Sequence, residues 1–235
     1  MKLIFCLLLS LLFLNACAQD TSRHRFKGVF FPYPMERPTM VSVGLTFTTM
    51  PYDITEELHF QIPALDIHLL QRLSTKLSLE MRANVQVFQN LITAGPKWAT
   101  KLNDRYSISV GNDIGYWFGA VNTEGIKTTG HGFQNTPNLS IGRRFNRRVL
   151  LTFRADAQMN FGIRTYAKDT ELTTEHRLLS GSSYALILEQ PFYGNKVLSL
   201  GLRGIYTDFF WQTWTLFETF DRNIFYPQVI IGLNL

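Results

Sequence analysis

The chain has 235 residues, enough for one large β domain or two small domains, and it combines 14% aromatic with only 17% charged residues. Its formal net charge of +5 comes without a Lys/Arg run, which argues against a nucleic-acid-binding protein. Beyond the N-terminus no stretch is apolar for the roughly 18 residues that a membrane helix needs. Any membrane-spanning form of this chain must therefore be a β-barrel.

Residues 1–18 are typical of an export signal, with Lys2 at the start, an apolar run over residues 3–14 and small residues after it. Two cleavage sites remain open. The stretch "LNAC" resembles a lipobox, which would make Cys17 the lipidated first residue, whereas "ACA" allows ordinary cleavage after Ala18. In both cases the mature chain keeps at most one cysteine, so it cannot form an internal disulfide.

Residues 19–39 contain three prolines and no alternation, and they predict an extended periplasmic lead-in to a barrel over residues 40–235. Residues 40–49 then alternate between apolar and polar side chains, which predicts the first strand. In the second predicted strand, residues 58–69, the alternation shifts register at Pro63, which predicts a β-bulge there.

The clearest alternation covers residues 77–87, where every odd position is apolar and every even position is polar. A period of two places the apolar side chains on one face of a strand. The alternating stretch is longer than the roughly 5 to 6 residues of a soluble strand and matches the roughly 9 to 11 that cross a bilayer. Because Glu80 and Arg82 lie in the middle of the polar face, that face must enclose water or partner charges.

Further strands are predicted at 91–102, 106–118, 133–145, 149–159, 179–190, 198–203 and 226–235, and the first of these has the weakest alternation. The total is about ten strands, within a range of eight to twelve. Short connections near residues 72, 103, 146 and 191 alternate with longer ones near 53, 94, 128, 170 and 214. This layout predicts an all-β, closed up-and-down antiparallel transmembrane β-barrel with both termini on the periplasmic side.

The export signal, the membrane-length strands and the final strand at Tyr226 to Leu235 together resemble the small bacterial outer-membrane β-barrel proteins over residues 40–235. The resemblance implies a place in the cell outer membrane and insertion by the barrel-assembly machinery. It also implies contact with outer-membrane lipid and lipopolysaccharide. It implies no particular activity, since one fold hosts many functions.

Eight charged or titratable side chains fall at predicted inward positions of this barrel. A ten-stranded barrel is barely wider than its side chains, so these groups should pair across the lumen. They predict either an internal salt-bridge plug or a narrow path for polar solutes or ions. The predicted lumen network consists of Asp66, His68, Glu80, Arg82, Asp113, Arg154, Asp156 and Arg203.

Aromatic residues cluster at predicted outer strand ends, where an interfacial girdle is expected. The girdle is predicted to contain Tyr116, Trp117, Phe118, Phe209, Phe210 and Trp211. Trp214, Phe217 and Phe220 lie farther into the last loop, and they could cap the barrel mouth or dock a hydrophobic partner.

His131 and His176, in predicted outer loops, are the candidates for a catalytic site, with Asp169, Glu171 and Glu175 near them in sequence. No spacing singles out a catalytic or metal site, so no catalytic residue, metal or cofactor is assigned. The sequence thus favours a non-enzymatic outer-membrane barrel, largely plugged, whose exposed loops serve surface interaction or small-solute passage.

Two other functional classes remain open at the level of the sequence. One is an outer-membrane hydrolase, a protease or lipid deacylase, with its site at the outer rim. The other is a lipid-anchored, soluble, lipocalin-like carrier, in which the apolar faces of the strands would turn inward around a ligand. The direction in which the apolar faces point distinguishes the carrier from the membrane barrel.

Overall fold

The computed structural model describes residues 28–52, 61–123, 126–145, 149–168, 170–172, 178–216 and 222–235. In these ranges the chain forms eleven β-strands, and a short 3₁₀ helix, Trp211–Leu216, precedes the last strand. The strands are β1 (Thr39–Thr49), β2 (Gln61–Arg72), β3 (Leu77–Val85), β4 (Gln89–Lys101), β5 (Tyr106–Thr123), β6 (Ile126–Phe145), β7 (Val149–Ala167), β8 (Thr170–Leu172), β9 (Leu179–Pro191), β10 (Val197–Thr207) and β11 (Ile224–Asn234).

Ten of these strands close into a barrel in which every neighbour pair is antiparallel. Strand β1 pairs with β2 on one side and with β11 on the other, and β7 pairs with both β6 and β9. Strand β8 lies outside the ring and pairs only with the far end of β7, among the described residues. The predicted closed ten-stranded antiparallel barrel is confirmed. Within the described ranges no helix is long and apolar enough to span a bilayer.

The alternation of side chains sets which face of each strand looks outward. On β3, Ser78 and Glu80 are buried inside the barrel, whereas Leu77 and Val85 are 36% and 39% exposed on its surface. Phe153 on β7 follows the same rule and lies on the surface. An apolar exterior around a polar interior is the arrangement of a transmembrane barrel and the reverse of a soluble lipocalin-like carrier.

A single charge on the outer surface tests this orientation. Val110 is 51% exposed and lies five residues into β5, near the middle of a bilayer-length stretch. Val110→Arg is expected to lower the free energy of unfolding in lipid by roughly 2–4 kcal/mol, because a guanidinium near the midplane loses its hydration. Leu102→Arg, in the short turn before β5, is the matched control and should cost no more than about 1 kcal/mol. Equal effects of the two variants in urea titrations would contradict the proposed bilayer position.

The β-bulge predicted at Pro63 is wrong. Strand β2 pairs with β1 without interruption, with Phe47 opposite Pro63 and Thr46 opposite Ala64. Pro63 is tolerated because pairing between β2 and β3 begins only at Leu65, so its missing N–H falls on an unpaired edge. The apparent shift of register arises because an apolar residue, Ile62, points inward and packs against a buried aromatic cluster.

The long connections predicted near Ala94 and Thr128 are also wrong. Ala94 lies inside β4, and Thr128 lies inside β6. Strands β5, β6 and β7 have 18, 20 and 19 residues and are longer than the other strands. On this side the barrel therefore extends farther at the end opposite the short turns. Glycines in this wall break the apolar–polar alternation, and at two inward positions, Gly130 and Gly132, tryptophan rings occupy the space that a side chain would need.

Candidate functional site in the barrel lumen

A belt of charged side chains crosses the middle of the lumen. All eight residues of the predicted lumen network point inward, and each of them contacts at least one other belt member. We call these eight residues together with Lys97 the charged belt. Its members are Asp66, His68, Glu80, Arg82, Lys97, Asp113, Arg154, Asp156 and Arg203.

The guanidinium of Arg154 is the centre of the charged belt. Its Nη1 donates to Glu80 Oε1 at 2.7 Å, its Nη2 to Asp113 Oδ2 at 2.9 Å, and its Nε to Asp156 Oδ1 at 2.6 Å. These carboxylates come from β3, β5 and β7, which are not neighbours in the barrel. One planar cation therefore joins opposite walls through charge-assisted hydrogen bonds.

Two further arginines lie beside this centre. Arg82 forms a bidentate pair with Asp66, with Nε to Oδ1 at 2.6 Å and Nη2 to Oδ2 at 2.9 Å. Arg203 Nη2 donates to Ser183 Oγ at 2.8 Å and to Asp156 Oδ2 at 3.2 Å. Each guanidinium is thus matched by a carboxylate, as burial of a charge requires.

Lys97 is the belt member that the sequence pattern did not indicate. Its Nζ lies 3.2 Å from Glu80 Oε2, on the side of the carboxylate away from Arg154. Alternation is weak in β4, where Gly95 faces inward and Pro96 outward. Because adjacent residues of a strand face opposite sides, an outward position of Trp98 would have indicated an inward position for Lys97. With Lys97 included, four cationic side chains of the belt face four carboxylates.

The short-turn end of the lumen is filled by residues 28–38, which we call the N-terminal plug. They belong to the predicted periplasmic lead-in, but most of the residues from Gly28 to Met35 are buried inside the barrel. The N–H groups of Phe30 and Phe31 donate to the two carboxylate oxygens of Glu189, at 3.2 and 2.9 Å. Glu189 has no exposed surface and also accepts hydrogen bonds from the side chains of Ser199 and Asn234.

The rings of the N-terminal plug fit into recesses of the wall. The ring of Phe30 lies 5.0 Å from that of His68 in the charged belt. Phe31 packs over Gly142, where an added Cβ would come within 2.5 Å of the ring. The guanidinium of Arg144 lies 5.4 Å from the Phe31 ring centre, close enough for a cation–π interaction. These contacts hold the plug in a defined position at this end of the barrel.

The opposite end is closed by an aromatic cap, made of Trp117, Phe209, Phe210, Trp211, Trp214 and Tyr226. The rings of Trp117 and Trp214 are 6.3 Å apart, and those of Phe210 and Tyr226 are 4.8 Å apart. Trp214 fits because Gly119 faces its ring, and a Cβ there would lie 2.6 Å from the indole Nε1. Trp214 is therefore buried within the barrel mouth.

The cap corrects the predicted aromatic girdle. Trp117, Phe209, Phe210 and Trp211 are each less than 9% exposed and lie inside the barrel. Only Tyr116 and Phe118 face outward, because neighbours along a strand alternate between its faces. Phe217 and Phe220 lie outside the described residues.

The candidate catalytic histidines are not brought together with an acid by the described part of the chain. His131 lies in β6, with its ring 6.1 Å from Tyr116 and 6.4 Å from Tyr166, so the predicted loop position is wrong. His176, Asp169, Glu175 and the possible lipidation site Cys17 lie outside the described residues. The described ranges contain no cluster of three or more His, Cys, Asp or Glu side chains placed to hold a metal ion.

Between the charged belt and the aromatic cap lies a cavity of about 70 Å³. Its floor is formed by the belt and its ceiling by Phe210 and Trp211. The walls carry Asn84, Leu91, Thr93, Gln134, Thr136, Gln158, Ile205 and Gln228. The described residues thus fill the lumen at three levels, and this cavity lies between two of them.

No protein-family model matches the chain, and no curated protein sequence matches it. Solved structures with a similar fold include two porins and one hydrocarbon channel. The KdgM porin in complex with disordered oligogalacturonate is 11% identical, with a TM-score of 0.38 over 83% of this chain and 97% of that one.

The NanC porin is 10% identical, with a TM-score of 0.37 over 83% of this chain and 98% of that one. The CymD monoaromatic hydrocarbon channel is 9% identical, with a TM-score of 0.35 over 85% of this chain and 88% of that one. At such scores these likenesses carry no inference about what this chain binds. What the described residues show is a closed ten-stranded antiparallel β-barrel with apolar side chains on its surface and charged ones in its lumen.

Proposed function

We propose that this protein is a non-enzymatic outer-membrane barrel whose lumen is plugged by its own polar and charged side chains. The observation that supports this most directly is the three-way contact of Arg154 with Glu80, Asp113 and Asp156, which joins walls from opposite sides of the lumen. A ten-stranded barrel has little interior beyond its side chains, so one such bridge can obstruct it. The N-terminal plug and the aromatic cap add a closure at each end.

The orientation is part of the proposal: the short-turn end faces the periplasm, with both termini there. An even number of strands brings both ends of the barrel chain to one rim, and short turns are the periplasmic feature of such barrels. The N-terminal plug enters from this same rim, since residue 39 begins β1 there. Insertion by the barrel-assembly machinery, and contact with outer-membrane lipid and lipopolysaccharide, follow from this placement.

In this proposal the barrel serves as a small-solute passage that stays shut until a closure is displaced. The described contacts of the plug and of the Phe209–Trp214 part of the cap with the wall include hydrogen bonds and ring contacts, none of them covalent, so these segments could move without breaking the wall. For a solute to pass, the Arg154 bridge would also have to open, and the charged belt would then select solutes by their charge.

One observation favours a second role in surface interaction. Strands β5, β6 and β7 exceed the roughly 9 to 11 residues that cross a bilayer by about eight, so with their tilt their far ends project about 20 Å beyond it. The projecting part carries exposed charged side chains such as Arg164 and Glu171. A partner at the cell surface would meet this wall first.

Planar-bilayer recordings test the closed lumen. The wild-type protein is expected to show no steady conductance. Arg82→Ala should also remain silent, because Arg154 still joins three strands when the neighbouring Arg82–Asp66 pair is lost. A steady open conductance of the wild-type protein would contradict the proposal and would favour an open polar path through the belt.

A further inference from the structure

The cavity between the charged belt and the aromatic cap is lined by charges of both signs. Three arginines and three carboxylates of the belt contribute to its lining, namely Arg82, Arg154, Arg203, Glu80, Asp113 and Asp156. Its volume of about 70 Å³ has room for about five water molecules. The cavity can therefore hold a small solute, and the charges that reach its surface decide which kind.

The accessible part of this charged lining is cationic. The side chains of the three arginines are 16–21% exposed, whereas those of the three carboxylates are only 2–7% exposed. The guanidiniums therefore lie between the carboxylates and the open space. An ion pair arranged in this way is a dipole whose positive end faces the cavity, and fixed dipoles of that orientation favour an anion.

Two guanidinium nitrogens are available to a ligand. The Nε and Nη2 atoms of Arg82 donate to Asp66, and those of Arg203 donate to Ser183 and Asp156. The Nη1 atom of each arginine donates no hydrogen bond within the described residues, and each of these two atoms keeps accessible surface. Because a guanidinium nitrogen can donate but cannot accept, these two groups need an acceptor from the occupant of the cavity.

The three guanidiniums reach the cavity from separate parts of the wall. Arg82 lies on β3, Arg154 on β7 and Arg203 on β10, and no two of these strands are neighbours in the barrel. Because the cavity is small, an occupant meets more than one of them. A carboxylate or phosphate presents several acceptor oxygens around one centre, and its geometry matches the N–H groups of a guanidinium.

The same lining disfavours a cation. A cation would need the oxygens of Glu80, Asp113 and Asp156, but these carboxylates are almost completely buried and already accept hydrogen bonds from Arg154 at 2.6–2.9 Å. It would also approach the accessible guanidiniums, which carry the same sign of charge. The ceiling of Phe210 and Trp211 separates the cavity from bulk water on one side, which strengthens electrostatic attraction and repulsion inside it.

We propose that this cavity binds a small oxyanion, a short-chain carboxylate or an inorganic phosphate or sulfate, through the accessible guanidiniums of Arg82, Arg154 and Arg203. The proposal goes beyond the closed lumen, because binding in the cavity does not require passage through the belt. It concerns binding alone and stands whether or not the barrel conducts.

Isothermal titration calorimetry of the detergent-solubilised full chain, at neutral pH and constant ionic strength, measures the binding. The probes are acetate, phosphate and sulfate, with acetamide and ethylammonium as the uncharged and cationic counterparts of acetate. At least one oxyanion is expected to bind saturably, and about ten-fold or more tightly than acetamide or ethylammonium, because hydrogen bonds between two charged groups are the strong ones. A preference for acetate, or for phosphate and sulfate, supports the proposal and identifies the ligand as an organic acid or an inorganic anion.

Variants of the arginines locate the site. Arg203→Gln and Arg82→Gln each remove one accessible guanidinium and should weaken the binding by about ten-fold or more. Lys97→Gln removes the same charge from the belt, but Lys97 does not line the cavity and its side chain is only 4% exposed, so its effect should be smaller than that of either arginine variant. Arg164→Gln, on the exposed projecting wall, is the control that should leave binding unchanged.

Heat-modifiable gel migration checks that each variant is folded, and the comparison of probes on the wild-type protein needs no variant. If no oxyanion binds saturably to the wild-type protein, the proposal is overturned. Binding of acetamide or ethylammonium as tight as that of the oxyanions would overturn the assigned chemical class. Unchanged affinity in the folded variants of both arginines, or an equal loss in Lys97→Gln, would overturn the assigned site.

Discussion

Arg154→Ala is expected to lower the free energy of unfolding by about 3–5 kcal/mol, because it leaves buried carboxylates without their shared cation. Glu80, Asp113 and Asp156 converge on this guanidinium at 2.6–2.9 Å, and their side chains are only 2–7% exposed. The three negative charges would then repel one another in a narrow, poorly hydrated space. Urea titrations of the protein in lipid, followed by heat-modifiable gel migration, measure the change.

The chain supplies its own control for Arg154. Arg164 and Glu171 form a pair at 3.9 Å on the projecting wall, with side chains 62% and 50% exposed, and Arg164→Ala should change stability by less than about 1 kcal/mol. Asp113→Asn, added to Arg154→Ala, should restore part of the loss, because the described structure pairs Asp113 with no cation other than Arg154. Equal effects of the Arg154 and Arg164 variants would mean that the belt does not bear on stability.

The strand alternation was sufficient to predict the orientation of the barrel and much of the charged belt. Glu80 and Arg82 could be placed inside because β3 alternates without interruption, so that parity alone fixes the face of each side chain. The same parity placed Arg154 and Asp156, which pair with Glu80, Asp113 and Arg203, all more than forty positions away. Which inward residues would touch one another could not be predicted, since pairing across a lumen leaves no periodic signal.

The sequence analysis was less successful at the two ends of the lumen, where the plug and the cap fill it. Trp117 is predicted to join the outward aromatic girdle with its neighbours Tyr116 and Phe118. Because adjacent residues of a strand face opposite sides, an outward Tyr116 requires an inward Trp117, as the structure shows. Glu189 lay in a weakly alternating strand, and its partners are N–H groups 158 and 159 residues away. The N-terminal plug has no regular secondary structure, so its prolines and aromatics gave no sign of a buried position.

The three closures also explain the composition of the wall. Glycines at inward positions 119, 130 and 132 accept the cap rings, and Gly142 accepts Phe31 of the plug. A side chain at any of these positions would overlap a ring that belongs to the plug or the cap. The inner surface of the wall is therefore complementary to the plug and the cap. This is consistent with the closed form being the resting state of the barrel.

Gly28→Leu is expected to release the N-terminal plug, because a Cβ at this position would overlap the Glu189 carboxylate that the plug requires. The amide hydrogens of Phe30 and Phe31 would then lose their buried acceptor, and their protection from hydrogen exchange should fall on the order of a thousand-fold, toward that of an open segment. NMR-detected exchange of the protein in detergent micelles measures this. Amides of β3, which does not contact Glu189, report whether the barrel remains folded.

Glu189→Gln is the conservative comparison for the plug. Its amide oxygen can still accept from one of the two N–H groups, so protection should fall less than in Gly28→Leu, by about ten-fold. A graded loss would show that the plug is held by this one buried side chain, since Ser199 and Asn234 are unchanged in both variants. Full protection of Phe30 and Phe31 in Gly28→Leu would place the anchor of the plug elsewhere, in the ring contacts of Phe31 with Gly142 and Arg144.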